Sequence, residues 1–367
     1  VREAIGRIAA WIERVDPGAH RRVKGLRIGT AYGGAIALGS VHDVMALDPI
    51  HASLAILAGG FALWASVFEA RGTRYESTRD LVLLCAAAAA GAWFFAVLAP
   101  LLDLPLLQQY GLSGGEWILL PSVFLACYLR RYGVLGMGVG LQLYIGGLLA
   151  YGTGLKPVDT PEIGIALLIA IVASVVPRLL SGPGEKPTPS PPPVHSAYRD
   201  SRFSAECIMG LQATATAVII IVLNSAFGLV EPVWAITAGV CGTTVTAAGT
   251  VARMKQRIIG TLIGVPLGLA CLPLAAHAPL IVCAVVALAL IVYVMALPDR
   301  YDIACGAFSI ILMITLAVSG EHSVPVLVAR AWETLLGGAI AMLIAVYVIP
   351  LRPVQATHDG VIGRVDR

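Results

Sequence analysis

The chain has 367 residues, 58% of them hydrophobic and only 13% charged, with a mean hydropathy of +0.84. Soluble domains carry about 25% charged residues, so this composition excludes an ordinary water-soluble domain and points to an integral membrane protein. The formal net charge of +3 is too small for a nucleic-acid partner.

The first segment, 1–25, contains no continuous apolar core of signal-peptide type. Ile5, Ile8, Ala9, Ile12 and Val15 recur at helical spacing, with Arg2, Glu3, Arg7, Glu13 and Arg14 on the other side. The pattern predicts an amphipathic helix on the cytoplasmic membrane surface.

A hydrocarbon core of about 30 Å needs about 20 mostly apolar helical residues. Runs of this kind predict twelve spans, near 26–46, 51–69, 80–100, 116–130, 133–153, 161–180, 206–226, 231–250, 257–275, 278–297, 302–320 and 330–350. Between the sixth and seventh, the stretch 181–203 carries six prolines between 183 and 193, which favours extended solvated chain. It divides the protein into a first six-helix block, 26–180, and a second, 204–351, followed by a tail, 352–367.

If the N-terminus is cytoplasmic, every basic residue of the 25 except Lys156 and Arg330 falls on the cytoplasmic side. The expected fold is therefore all-α and integral to the membrane, with both termini inside. Six is an even number of crossings, so the two blocks run the same way as parallel repeats. Their interface is the natural place for a pathway. Weak internal similarity agrees: Arg74 and Thr78 stand opposite Arg257 and Thr261 at one constant offset.

The chemistry-bearing residues are few. Seven cysteines all lie in apolar runs without a CxxC pair, and the seven histidines are scattered, so no metal, cofactor or enzymatic constellation is implied. The stretch RMKQRIIGTLIGVPLG, 253–268, lacks the strand and the Gly-Lys-Ser/Thr ending of a phosphate loop. Its Gly260, Gly264 and Gly268 stand at i, i+4 and i+8, a smooth helix face suited to close packing on another helix. Arg27, Arg74 and Arg257 each precede or open an apolar run. Such an arginine either anchors its helix at the cytoplasmic surface or binds an organic anion bidentately.

Arg330 is on the outer side, three residues before Glu333; the two either neutralise each other or belong to a substrate or proton site. Carboxylates inside a membrane are costly and suggest function. Glu333, Asp302 and the pair His42–Asp43 are the candidates for proton coupling, histidine being able to titrate near neutral pH. Trp234, Thr237 and Thr261 are candidates to stack on or hydrogen-bond a substrate, or else to anchor and back-bond within their own helices.

Three elements carry a family resemblance: Pro232-Val-Trp-Ala-Ile-Thr237, Arg257-Ile-Ile-Gly-Thr-Leu-Ile-Gly264 and Arg330-Ala-Trp-Glu-Thr-Leu-Leu-Gly337. Together they resemble the fusaric acid resistance protein family in its aromatic acid exporter-like branch. The first block carries only degenerate forms, Arg27-Ile-Gly-Thr-Ala-Tyr-Gly33 and Arg74-Tyr-Glu-Ser-Thr78. The resemblance implies a bacterial inner-membrane efflux permease for organic, above all aromatic, carboxylic acids, driven by protons. The alternative is an anion channel or lipid-handling protein on the same six-helix module. Many members carry a sizeable cytoplasmic domain, and here only the proline-rich linker and a short tail stand in its place. The partners implied are a small organic anion and the lipid bilayer; a homo-oligomer and a periplasmic adaptor protein both stay open.

Overall fold

A computed structural model describes residues 16, 20–45, 53–69, 73–102, 114–181, 204–230, 232–244, 246–271, 273, 278–297, 299–318 and 324–350. Most of the amphipathic segment, the proline-rich linker from 182 to 203 and the tail from 351 lie outside the described residues. What is described is helical throughout: α1 His20–Met45, α2 Leu54–Phe68, α3 Arg74–Leu102, α4 Gly114–Tyr128, α5 Gly133–Thr153 and α6 Thr160–Leu180. After the linker come α7 Ala205–Phe227, α8 Pro232–Gly242, α9 Ala247–Ala270, α10 Pro279–Ala296, α11 Tyr301–Val318 and α12 Val324–Leu343. A π-helical turn, Ile344–Val348, extends α12.

Five stretches are long and apolar enough to cross a membrane: Arg74–Leu101, Gly115–Thr153, Pro157–Leu180, Ala205–Phe227 and Ala331–Val348. The second of these is a hairpin. After the 3₁₀ turn Leu129–Tyr132, Gly133 adopts φ 79° and the chain reverses, so that Gly140 faces Leu125 and Ala126 while Gly147 faces Leu119. Only glycine takes that left-handed conformation without a steric penalty.

Helix ends are set by local capping. Asp16 accepts the backbone N–H groups of Arg21 at 2.9 Å and Arg22 at 3.0 Å, and so caps the start of α1. Burial pushes its carboxyl up, but the hydrogen bonds from Arg21 and Arg22 outweigh this and hold it below the usual carboxylate value. Thr73 and Glu76 form a reciprocal capping box at the start of α3: Glu76 accepts from the Thr73 N–H at 3.0 Å, and Thr73 Oγ1 accepts from the Glu76 N–H at 3.3 Å.

Helices α1, α3 and α12 start six residues before the hydropathy reading places them, and the largest differences lie between the eighth and ninth helices. The eighth and ninth helices, expected at 231–250 and 257–275, are Pro232–Gly242 and Ala247–Ala270. The break falls at threonines: Thr246 caps α9 by accepting the Gly249 N–H at 3.0 Å, and the Thr244 N–H is taken by Thr250 Oγ1 at 3.0 Å. The cluster Arg253, Lys255 and Arg257, which those expected spans leave between the two helices or at the very start of the ninth, is therefore inside α9. Hydropathy misses this because charged residues depress the window average even where backbone hydrogen bonds continue through them.

The closest helix pairs are built on glycine. A Cβ at Gly260 would collide with the Asp302 carbonyl oxygen and lie 2.9 Å from Gly306 N; at Gly264 it would lie 2.8 Å from Gly306 Cα, and at Gly268 2.7 Å from Met313 Cβ. The contacts advance together along both chains, so α9 and α11 run parallel with their backbones touching. In the first block α3 and α5 approach equally closely, through Gly91 against Leu143 and Gly146 against Ala88. Between blocks, α4 packs on α7 and α10 packs on α1.

Candidate functional site

A cavity of about 1720 Å³ runs through the helix bundle. Its wall takes residues from α1 to α5 and from α8 to α12, and extends along α1 from Arg21 to Val44. At a rise of about 1.5 Å per residue that is roughly 34 Å, the thickness of a membrane core. Arg21, Lys24, Glu76, Arg130 and Arg253 line one end, and Asp43, Ser53 and Thr153 the other.

Four of the substrate-binding candidates selected from sequence stand on this wall: Trp234, Thr237, Arg257 and Thr261. Arg257 is the central one. Its Nη1 donates to the Tyr301 hydroxyl at 3.4 Å, its buried Nε has no hydrogen-bond partner, and no carboxylate pairs with it among the described residues. Thr237 is held by Tyr144 of α5, whose hydroxyl is 2.7 Å from Thr237 Oγ1, a bond between the two six-helix blocks. A second such bond joins Tyr32 of α1 to Thr315 of α11 at 2.9 Å. Aromatic rings cluster on part of a mostly aliphatic wall: Trp64 lies 5.2 Å from Phe308, Tyr293 lies 6.0 Å from Phe308, and Arg253 stacks over Tyr301 at 4.2 Å.

The other candidates lie elsewhere. Arg27 is off the wall, in a buried cluster where Glu69 takes Arg27 Nη2 at 2.9 Å and Arg178 Nε at 3.0 Å, while Arg178 Nε also donates to Ser77 Oγ at 2.7 Å. It is a structural ion-pair member joining α1, α6 and the end of α2. Arg74 is the exposed first residue of α3, because the capping box starts the helix there; its sequence counterpart Arg257 sits ten residues into α9. Arg330 belongs to α12, with its side chain outside the described residues.

Among the proton-coupling candidates, Asp43 alone lines the cavity, and it caps α2 by accepting from Ser53 Oγ at 3.2 Å and the Leu54 and Ala55 N–H groups at 3.1 and 3.2 Å. Its neighbour His42 is off the wall, with a buried Nδ1 that has no hydrogen-bond partner. Glu333 is fully buried and accepts the Val230 N–H at 2.8 Å, ahead of α8, whereas the adjacent Thr334 lines the cavity. Asp302 is held by Arg300 Nε at 3.1 Å and Nη2 at 2.9 Å and borders a smaller apolar groove between α9, α10 and α11.

Sequence reading passed over Tyr144, Tyr301 and Arg130. Tyr144 sits among glycines and aliphatics, beside the buried Gln142, and its polar hydroxyl in so apolar a run was the available signal. Arg130 was counted with the cytoplasmic anchors.

Apolar helices of membrane-spanning length around an internal cavity that carries cations define a multi-pass membrane protein. Residues 216–344 match the family described as fusaric acid resistance protein-like, a transporter family, which supports the resemblance carried by the three motifs and covers every second-block residue of the cavity wall. Comparison with curated proteins and with solved structures gives no match.

Proposed function

We propose that the chain exports organic, chiefly aromatic, carboxylates across the bacterial inner membrane, with Arg257 as the carboxylate ligand. One observation carries this reading: a guanidinium with no acidic partner among the described residues and a buried unbonded Nε faces a mostly apolar cavity whose wall includes Trp234, Tyr144 and Tyr301. An arginine in that state is poised for a carboxylate, since a charge-assisted fork would satisfy donors that the protein leaves open. Trp234, Tyr144 and Tyr301 offer faces for a ring, and Thr237 and Thr261 offer hydroxyls.

The architecture proposed is twelve spans in two parallel six-helix repeats with cytoplasmic termini. Three features support it: twelve helices among the described residues, glycine-mediated packing of the third on the fifth helix in each block, and the reciprocal pairing of each fourth helix with the other block's first. Rocking about the α4–α7 and α10–α1 contacts would alternate access. Asp43, on the wall, is the proposed proton carrier. The extent of the cavity along α1 favours, as a second reading, an anion channel on the same module.

Uptake of labelled benzoate into inverted vesicles, with and without a pH gradient, tests this. Loss of a charge-assisted hydrogen bond costs about 1.5–3 kcal/mol, so Arg257→Gln is expected to raise KM at least tenfold. Unchanged uptake in that variant removes the site; uptake indifferent to the gradient favours the channel.

A further inference from the structure

We infer that the cavity is built for anions bearing two negative charges, with Arg130 as a second ligand contributed by the block opposite Arg257. The inference rests on the anion-binding reading above and names its substrate class more narrowly. Arg130 lies in the 3₁₀ turn between α4 and α5 and lines the cavity. Its Nη1 donates to the Thr243 carbonyl at 3.1 Å, just past the end of α8, and its buried Nε has no hydrogen-bond partner. Cys241, two residues before Thr243, lines the same wall as Arg257.

The remaining cations on the wall are engaged. Arg21 pairs with Asp299 at 2.8 Å, Lys24 donates to the Val67 and Glu69 carbonyls at 3.1 Å each, Arg79 pairs with Asp80 at 3.0 Å, and Arg253 stacks on Tyr301. Arg130 and Arg257 alone combine a buried unbonded Nε with no carboxylate partner among the described residues of the wall. The charge balance points the same way: six bases, Arg21, Lys24, Arg79, Arg130, Arg253 and Arg257, stand against four acids, Asp43, Glu69, Glu76 and Asp80. A monocarboxylate would leave one of the two guanidinium groups, each with a buried Nε, without an anion, whereas a dicarboxylate satisfies both. A planar ring between the two carboxylates suits the aromatic part of the wall.

The test is uptake of labelled terephthalate and of labelled benzoate into inverted vesicles containing wild type, Arg130→Gln, Arg130→Lys or Arg257→Gln. The wild type is expected to show the lower KM for terephthalate. Arg130→Gln should raise the terephthalate KM at least tenfold more than the benzoate KM, and Arg130→Lys should restore part of the difference. Equal shifts for both compounds, or a wild type that does not prefer the dianion, would overturn the inference. The wild-type comparison stands even if the glutamine variant fails to fold. If Arg257→Gln leaves benzoate uptake intact, the underlying carboxylate site is wrong. If it abolishes uptake while the terephthalate-to-benzoate ratio ignores Arg130, only the two-charge inference falls.

Discussion

At the scale of single residues, two arginines that look alike in sequence have opposite fates. Arg27 and Arg257 both stand before a glycine-containing apolar run, yet Arg27 meets Glu69 and Arg257 meets a cavity. The difference is set by a carboxylate at the end of another helix, which no local pattern reveals. Breaking the buried Arg27–Glu69–Arg178 cluster leaves two guanidinium groups uncompensated, a loss of about 3–5 kcal/mol for pairs of this kind. Glu69→Gln is therefore expected to lower the thermal unfolding midpoint in detergent clearly, and a midpoint within one degree or so of wild type would contradict the ion-pair role. Trp234, Thr237 and Thr261 were readable because polar or aromatic residues at helical spacing stand out in an apolar run. Tyr144 carried the same signal and was passed over, and Arg130 was not readable because it reaches the site from the other block and its charge alone marks it as an anchor.

Among elements, α9 is the most informative. Its glycine face was legible from spacing alone, but the helix it touches was not, since α11 lies more than thirty residues downstream with only Gly306 to mark the contact. Its start was misplaced for a physical reason: threonine capping at 246 nucleates the helix before the charges, and propagation through Arg253 and Lys255 costs little because arginine and lysine are good helix formers. Gly264→Val would push methyl groups into the Gly306 backbone, and overpacking of this kind costs about 1–3 kcal/mol or more. The expected result is a large drop in folded yield by size-exclusion chromatography, with Gly164→Val, where a Cβ meets nothing within 4 Å, as the tolerant control.

For the whole molecule, the contacts between blocks define where the proposed rocking would occur. A Cβ built at Gly25 of α1 lies 3.5 Å from the Ile291 Cβ of α10, inside the range of about 3.5–4.5 Å that disulfides require. With the native cysteines replaced, Gly25→Cys with Ile291→Cys is expected to form a disulfide under mild oxidation and to stop transport reversibly. Full uptake in the cross-linked protein would exclude rocking at this contact. The membrane character of the chain was legible from hydropathy and charge. The packing order was not, because every helix in lipid shows its neighbours similar apolar surfaces and only backbone approach distinguishes them.

The position of Arg257 along α9 has an electrical meaning. It lies four residues, about 6 Å of helix, beyond Arg253 at the end of the cavity, and donates to Tyr301, the first residue of α11. A monovalent anion reaching it from that end crosses about a fifth of a hydrocarbon core of about 30 Å and of the transmembrane potential, worth roughly 0.5 kcal/mol per 100 mV, and a dianion about twice that. Occupancy of the site should thus follow voltage even if every binding contact stays the same. Benzoate affinity measured from that end in vesicles clamped with potassium and valinomycin is expected to shift about twofold per 100 mV. An affinity flat with voltage would move the arginine to the membrane surface.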